Sequence, residues 1–400
     1  MGLRVAIVGA GVGGLTAAVA LARKGIECAV YEQAAALEAT GASLQLGPNA
    51  LRLMDDLGLL GRLREIGARP DAVDFVRWDD GSLLLHTPLG AAMEEHFGAP
   101  QLDFYRPDLH RLLLDLVASV HAGAAVHAVE QDAHGVTLTL ADGRSVEADV
   151  AVAADGIRSR IRQQFTGADD PVFSGTVVYR GVAPREAAID LHPEHINYYW
   201  IGPYRHGVAY WISGGERLAV NCAVQNAEFS RESWTLPAPA EEALEAFAGW
   251  HEPLLERIRA CGPMLRGAVF VRRALAQWSY GRVTLLGDAA HAMEPFQAQG
   301  AAQAVEDAFV LGECLADGAD DVPAALRRYE SIRTARAGEL QNSSRAAAES
   351  FYLPDGEEQR RRDAAYLTLR ETLPWGTRQP IWEHDVRAAL KLPIGEPNTQ

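Results

Sequence analysis

Uncharged apolar runs alternate with short polar breaks from the start of the chain, and the breaks set the elements. Val5 to Val8 is a short apolar run bounded by a glycine-rich turn, the pattern of a strand buried on both faces. Leu15 to Lys24 reads as a helix of small apolar residues, with Gly25 placed as its C-terminal cap, and Glu27 to Tyr31 reads as a second strand. Gly47-Pro48-Asn49 opens a further helix whose apolar face continues through Leu57 to Leu63. Strand-like runs around Asp79-Asp80-Gly81 occupy 73–97, and Arg106-Pro107-Asp108 starts another helix. Gly135 to Leu140 with the turn Ala141-Asp142-Gly143 predicts a hairpin, and Val150 to Ala154 a buried strand ending at Asp155-Gly156. From 173 to 225 aromatics and strict alternation predict an antiparallel sheet with one covered face. An amphipathic helix is expected over 241–260, a buried strand over Val283 to Leu286, and long helices from about 300 to 350 and 357 to 373.

Gly9, Gly11 and Gly14 fill a G-x-G-x-x-G pattern between the first strand and the first helix. One glycine makes the tight turn, one lets backbone approach a pyrophosphate, and one lets helix and sheet pack closely. Glu32 ends the second strand, where a carboxylate reaches ribose hydroxyls. The expected fold is therefore α/β. A Rossmann-like dinucleotide domain (1–72, 98–172 and 270–340) is interrupted by an antiparallel substrate sheet (73–97 and 173–269). A C-terminal helical segment follows over 341–400.

Composition narrows the function. The 400 residues carry a formal charge of −16, which argues against nucleic acid and anionic membrane surfaces as partners. The four cysteines lie far apart without metal spacing, so no metal site is expected and a reduced, cytoplasmic protein is. The uncharged stretch 5–22 is accounted for by the strand, turn and helix rather than by a membrane span.

Three motifs stand in order: Gly9-x-Gly11-x-x-Gly14, then Asp155-Gly156-x-x-Ser159-x-x-Arg162, then Gly287-Asp288-Ala289-Ala290-His291 with Pro295. Over essentially the whole chain this resembles the single-component FAD-dependent aromatic hydroxylases, the family of para-hydroxybenzoate and salicylate hydroxylases. The resemblance implies bound FAD, NAD(P)H as a transient co-substrate, and dioxygen activated as a flavin C4a-hydroperoxide that hydroxylates a small phenol or hydroxypyridine carboxylate. It implies FAD contacts from Gly9, Gly11, Gly14, Glu32, Arg106, Val129, Asp155, Gly156, Arg162, Gly287, Asp288, Pro295, Gly300 and Ala301. His206 and Tyr210, spaced to share one strand face, resemble the pocket residues of 3-hydroxybenzoate and 6-hydroxynicotinate hydroxylases, and Gln297 matches a glutamine beside substrate. His206, with a pKa near ~6.5, is then the expected base for the substrate hydroxyl. Arg180 and Arg205 are conceivable partners for a substrate anion. Monomer and homodimer both stay open. A double-bond reductase, an oxygenase on a larger aromatic and a non-catalytic FAD sensor are the rival readings.

Overall fold

The computed structural model describes residues 2–37, 43–167, 169–225, 236–372 and 375–391, so the last nine residues of the expected C-terminal segment lie outside it. In it Arg4–Val8 is an inner strand of a six-stranded sheet. It pairs in parallel with Glu27–Tyr31 on one side and with Val150–Ala153 on the other, and the latter pairs in parallel with Val283–Leu285. Strands far apart in the sequence are thus neighbours, and the sheet is interrupted and resumed. Val5 to Val8 are buried because both faces are covered. The helix Val12–Arg23 packs on the helix Gly300–Asp317 through small residues; a Cβ on Gly13 would come within 2.9 Å of Leu286 and 3.1 Å of Ala304. A three-stranded antiparallel sheet (Val126–Gln131, Val136–Leu140, Ser145–Ala148) adds Val129, Val136 and Leu138 to the same core.

The second layer is an eight-stranded sheet. Its centre runs Met264–Val271, Val172–Pro184, Arg217–Gln225, Arg205–Ile212, Ile196–Gly202, with Ala72–Arg77 and Leu83–Pro88 joining at one edge. Alternation divides its side chains cleanly. Trp200, Trp211, Leu218, Val220 and Cys222 meet the helices Ala240–Ala246 and Glu252–Cys261 on the outer face. Phe75, Tyr199, Ile201, Val208, Tyr210 and Ala223 form the inner face, against Phe296, Phe351 and Tyr352. The sequence pattern predicts one covered face; the structure covers both.

Other departures have local causes. The helix expected over 241–260 breaks in two, because Gly249 takes φ +80° and Pro253 must lie in a first turn. Gly58 at φ +71° divides Pro48–Asp56 from Leu60–Ile66. The stretch 300–350 is two helices, Gly300–Asp317 and Val322–Phe351, the second capped by the Asp321 carboxylate accepting from the Ala324 N–H. Residues Gly90–Phe97 form a helix where strand was expected.

Candidate active site

Each glycine of the first turn has its own geometry. Gly9 sits at φ +104°, and a Cβ there would lie 2.3 Å from the Ala154 carbonyl oxygen. A Cβ on Gly14 would lie 2.0 Å from the Gly9 carbonyl oxygen, so this glycine seats the helix on the turn. Gly11 differs: its φ is −72° and a Cβ would touch nothing within 4 Å. Its open side adjoins the uncapped N-terminus of Val12–Arg23, whose first turn carries no acidic residue. Free N–H groups beside a bare Gly Cα suit a pyrophosphate. The Glu32 carboxylate accepts from the Ala10 N–H at 2.8 Å and the Ala34 N–H at 2.8 Å, and His110 Nε2 lies 2.7 Å from the Ala10 carbonyl oxygen. The turn is held from both sides. Gly11→Val is therefore expected to leave the fold and thermal stability near wild type while abolishing FAD retention on purification. A variant that stays fully yellow would place the phosphates elsewhere.

The other residues of the expected cofactor set fall into two groups. Arg106 opens the helix Arg106–Leu114, half-buried, with no hydrogen bond or ion pair among the described residues. Asp288 is an exposed carboxylate in the first turn of Asp288–His291, again without a partner among the described residues. Gly287 takes φ +63°, Gly156 takes φ +78° with open space at its Cβ position, and burial pushes the Asp155 carboxyl up. Gly300 and Ala301 head an 18-residue helix that no side chain caps, and Gly300 also faces open space. Pro295 starts the turn Pro295–Gln297 before it. Such open glycines, uncapped helix ends and unpaired charges fit FAD.

Two residues of the set are occupied otherwise. Arg162 is fully buried: its guanidinium donates to the carbonyls of Ala289 and Ala290 at 3.0 Å each and to Asp169 at 2.8 Å through Nε. It stitches the Asp155 loop to the Asp288 helix rather than facing a phosphate. Val129 has both backbone groups taken by the Gln164 amide, at 3.1 and 2.5 Å.

Beneath this surface lies a buried charge network that the sequence reading missed. Asp307 Oδ2 accepts from the Gly287 N–H at 3.0 Å and lies 2.6 Å from His291 Nε2, while its Oδ1 accepts from Arg333 Nε at 2.8 Å. Arg333 also donates to Glu306 at 2.6 Å and to Gln303 Oε1 at 2.6 Å. Glu306 in turn accepts from Asn49 at 2.7 Å. Burial alone would raise both carboxyls, yet the charges and hydrogen bonds around them leave both below their usual values. His291, which closes the third motif, thus shares the Asp307 carboxylate with the Gly287 N–H.

On the large sheet, His206 and Tyr210 share the inner face with Val208 between them. They stand roughly 13 Å apart along the strand, the span of four residues. The Tyr210 hydroxyl donates to Ser43 Oγ at 2.7 Å, Asn221 donates to the same oxygen at 3.1 Å, and the Tyr199 hydroxyl donates to Gln45 Oε1 at 2.9 Å. Burial raises the Tyr210 pKa, so its hydroxyl stays neutral. His206 lies among Phe296, Phe351 and Tyr352, ring centroids 5.2, 5.7 and 5.6 Å away, and its Nδ1 is buried without a hydrogen-bond partner. Gln297 is turned away: its Oε1 accepts from Ser343 at 2.9 Å and Ser344 at 3.4 Å. Phe296, one residue earlier, holds the place beside His206.

Burial pushes His206 down to about 3, against the near-6.5 value expected from sequence. His192, against Arg257, is likewise pushed down to about 3, by burial first and the guanidinium second. Both fold neutral, so the unfolded chain binds the extra protons between pH 6.5 and 3. Their stability is complete above the unfolded pKa and is lost as pH falls below it, on the order of 1 kcal/mol from each by pH 5.5. Urea midpoints should fall between pH 7.5 and 5.5, and His206→Gln should remove about half of that dependence, the rest remaining with His192. A flat wild-type profile would contradict the buried neutral state.

A dinucleotide cradle joined to an aromatic-lined sheet site is the arrangement of flavoprotein oxygenases that work on aromatic rings. The chain belongs to the FAD binding domain family, whose sequence model matches residues 2–344. It is 43% identical over 367 residues to a 3-amino-4-hydroxybenzoate 2-monooxygenase of Streptomyces platensis, covering 91% of this chain and 92% of that one. It is 36% identical over 346 residues to a 6-hydroxynicotinate 3-monooxygenase of Pseudomonas fluorescens, covering 85% and 90%. A salicylate hydroxylase solved with its substrate superposes with a TM-score of 0.82 at 28% identity, covering 97% of each chain. This protein is an FAD-dependent aromatic monooxygenase. Among the described residues no helix is long and apolar enough to cross a membrane.

Proposed function

We propose that the protein hydroxylates a small hydroxyaryl carboxylate, a hydroxybenzoate, aminohydroxybenzoate or hydroxypyridine carboxylate, using NAD(P)H and dioxygen. The observation that carries this reading is the unpartnered Nδ1 of His206, buried on the sheet face that also presents Tyr210. FAD would be held by the Gly11 turn, Glu32, Arg106, Asp288 and the Gly300 helix end, and when bound it supplies the electrophilic oxygen. The chain's own residues prepare the ring. A substrate lying over Val208 would place its hydroxyl at His206, and the neutral imidazole accepts that hydrogen bond. Phe296, Phe351 and Tyr352 keep water from the imidazole. Withdrawing the hydroxyl proton raises electron density on the ring carbon to be attacked.

The relatives suggest the first compounds to try. FAD-loaded protein should be given NADH or NADPH with 3-amino-4-hydroxybenzoate, 3-hydroxybenzoate, salicylate and 6-hydroxynicotinate, and the products weighed by mass spectrometry. One of them should accelerate NAD(P)H oxidation and gain a single oxygen atom. Oxidation yielding only hydrogen peroxide with every compound would favour a reductase or a flavin sensor instead.

A further inference from the structure

The inner face of the large sheet is bordered by a cation, Arg378, that forms no ion pair among the described residues. Arg378, in the turn Gly376–Arg378, extends its guanidinium over the rings of Tyr199 and Phe75, 5.6 and 5.8 Å from their centroids. Its charge acts on the Tyr199 hydroxyl, opposing the larger rise in pKa that burial imposes there. It is half-buried and forms no ion pair with any described residue. Asp103 is the nearby acid, but its two oxygens are held by Asn197 and Gln101, and burial pushes its carboxyl up to about 7.

Register places Arg378 at the site. Tyr199 pairs with Val208 on the neighbouring strand, so its ring borders the gap between His206 and Tyr210. Its hydroxyl donates to Gln45 Oε1, and the other end of that amide, Nε2, is buried with no hydrogen-bond partner. A guanidinium with no ion pair among the described residues and an orphaned buried amide donor therefore flank one tyrosine. The segment delivering Arg378 is tied down by backbone contacts: Arg52 donates to the carbonyls of Trp382 and His384 at 2.9 and 2.7 Å, and Arg336 to that of Ile381 at 3.1 Å. The arginine is held in place from outside the site.

We infer that Arg378, with Gln45, recognises the carboxylate of the aromatic substrate. The inference rests on the substrate class proposed above. Guanidinium and amide donors suit a planar carboxylate, and an arginine stacked on aromatic rings loses little freedom when it binds one. Arg205 is excluded by alternation: it neighbours His206 in the strand and so points to the opposite face. Arg180 lies on the inner face beside Asn221, but next to Arg106, one helical turn from the His110 that holds the glycine turn. Its charge belongs to the cofactor flank.

The test uses FAD-loaded protein and calorimetric binding of 3-hydroxybenzoate and its uncharged isostere 3-hydroxybenzamide. Wild type should prefer the carboxylate by about ten- to a hundredfold, the range of one charged hydrogen-bonding partner. Arg378→Met should erase the preference by weakening 3-hydroxybenzoate alone, Arg378→Lys should restore part of it, and Arg180→Met with FAD retained should keep it. Equal weakening of both ligands, or an undiminished preference in Arg378→Met, would overturn the assignment while the substrate class stands. Loss of the preference in Arg180→Met would transfer the role to Arg180. Wild type binding neither compound, nor the other hydroxyaryl carboxylates named above, would overturn the substrate class and the anchor with it.

Discussion

Arg333→Met is expected to destabilise the protein by about 3–5 kcal/mol, the cost of leaving a buried ion pair with one partner. The magnitude follows from what remains. Arg333, Glu306 and Asp307 are all 1% exposed or less, and the arginine is the shared partner of both carboxylates. Without it, burial governs and both carboxyls rise, so the folded state must either take up protons or hold bare charge. The wild-type contribution of these depressed carboxyls is present above their unfolded pKa values and is lost as pH falls through the folded ones. The variant should therefore be most impaired at neutral pH and close on wild type in acid. Asp307 also holds the Gly287 N–H, so FAD should bind less tightly even where the fold survives. Urea unfolding across pH measures the first effect and flavin titration the second. Adding Glu306→Gln and Asp307→Asn should recover part of the lost stability, since neutral side chains no longer need the arginine. An Arg333→Met midpoint equal to wild type at pH 7.5 would show the network to be dispensable.

The elements that were legible in the sequence are those built from neighbours. The first strand, the glycine turn and the second strand lie within thirty residues, and each glycine's steric demand is local to that turn. The antiparallel sheet showed itself by alternation, because a half-polar strand cannot hide its period. The outer cover was not legible, since the helices Ala240–Ala246 and Glu252–Cys261 close over residues that already read as buried. The charge network was invisible for a different reason. Asn49, Glu306 and Arg333 come from three helices and meet only after folding, and no spacing rule joins Asn49 to a glutamate 257 residues on. Gln297 shows the converse. A motif places the residue in the right turn, but the turn's rotation sets which side chain faces the sheet, and here Phe296 does while Gln297 bonds serines. Ser43, Gln45 and Arg378 carried no signal beyond being polar. Their neighbours are tyrosines on strands more than 150 residues away.

The pKa of His206 decides what kind of base it is. At about 3 the free imidazole is a poor proton acceptor for a phenol near ~10. A carboxylate about 6 Å from the ring would return roughly 3 kcal/mol at an effective dielectric of 20, or about two pKa units. On the proposed reading an anionic substrate would restore about half of the basicity that burial removes, and a neutral phenol would not. On that reading, His206 would act as a base only with an anionic ligand bound. His206→Ala is accordingly expected to slow hydroxylation of a hydroxyaryl carboxylate by about 10²–10⁴-fold at neutral pH, with FAD affinity unchanged because the residue lies on the large sheet, away from the glycine turn. The deficit should shrink toward pH ~10, where the phenol ionises unaided. NAD(P)H consumption should continue in the variant, its reducing equivalents emerging as hydrogen peroxide. The measurement is product formed per NAD(P)H consumed, for wild type and variant, from pH 6.5 to 10. Coupling at neutral pH equal to wild type would remove His206 from proton transfer and leave it an aromatic-packed histidine beneath the substrate.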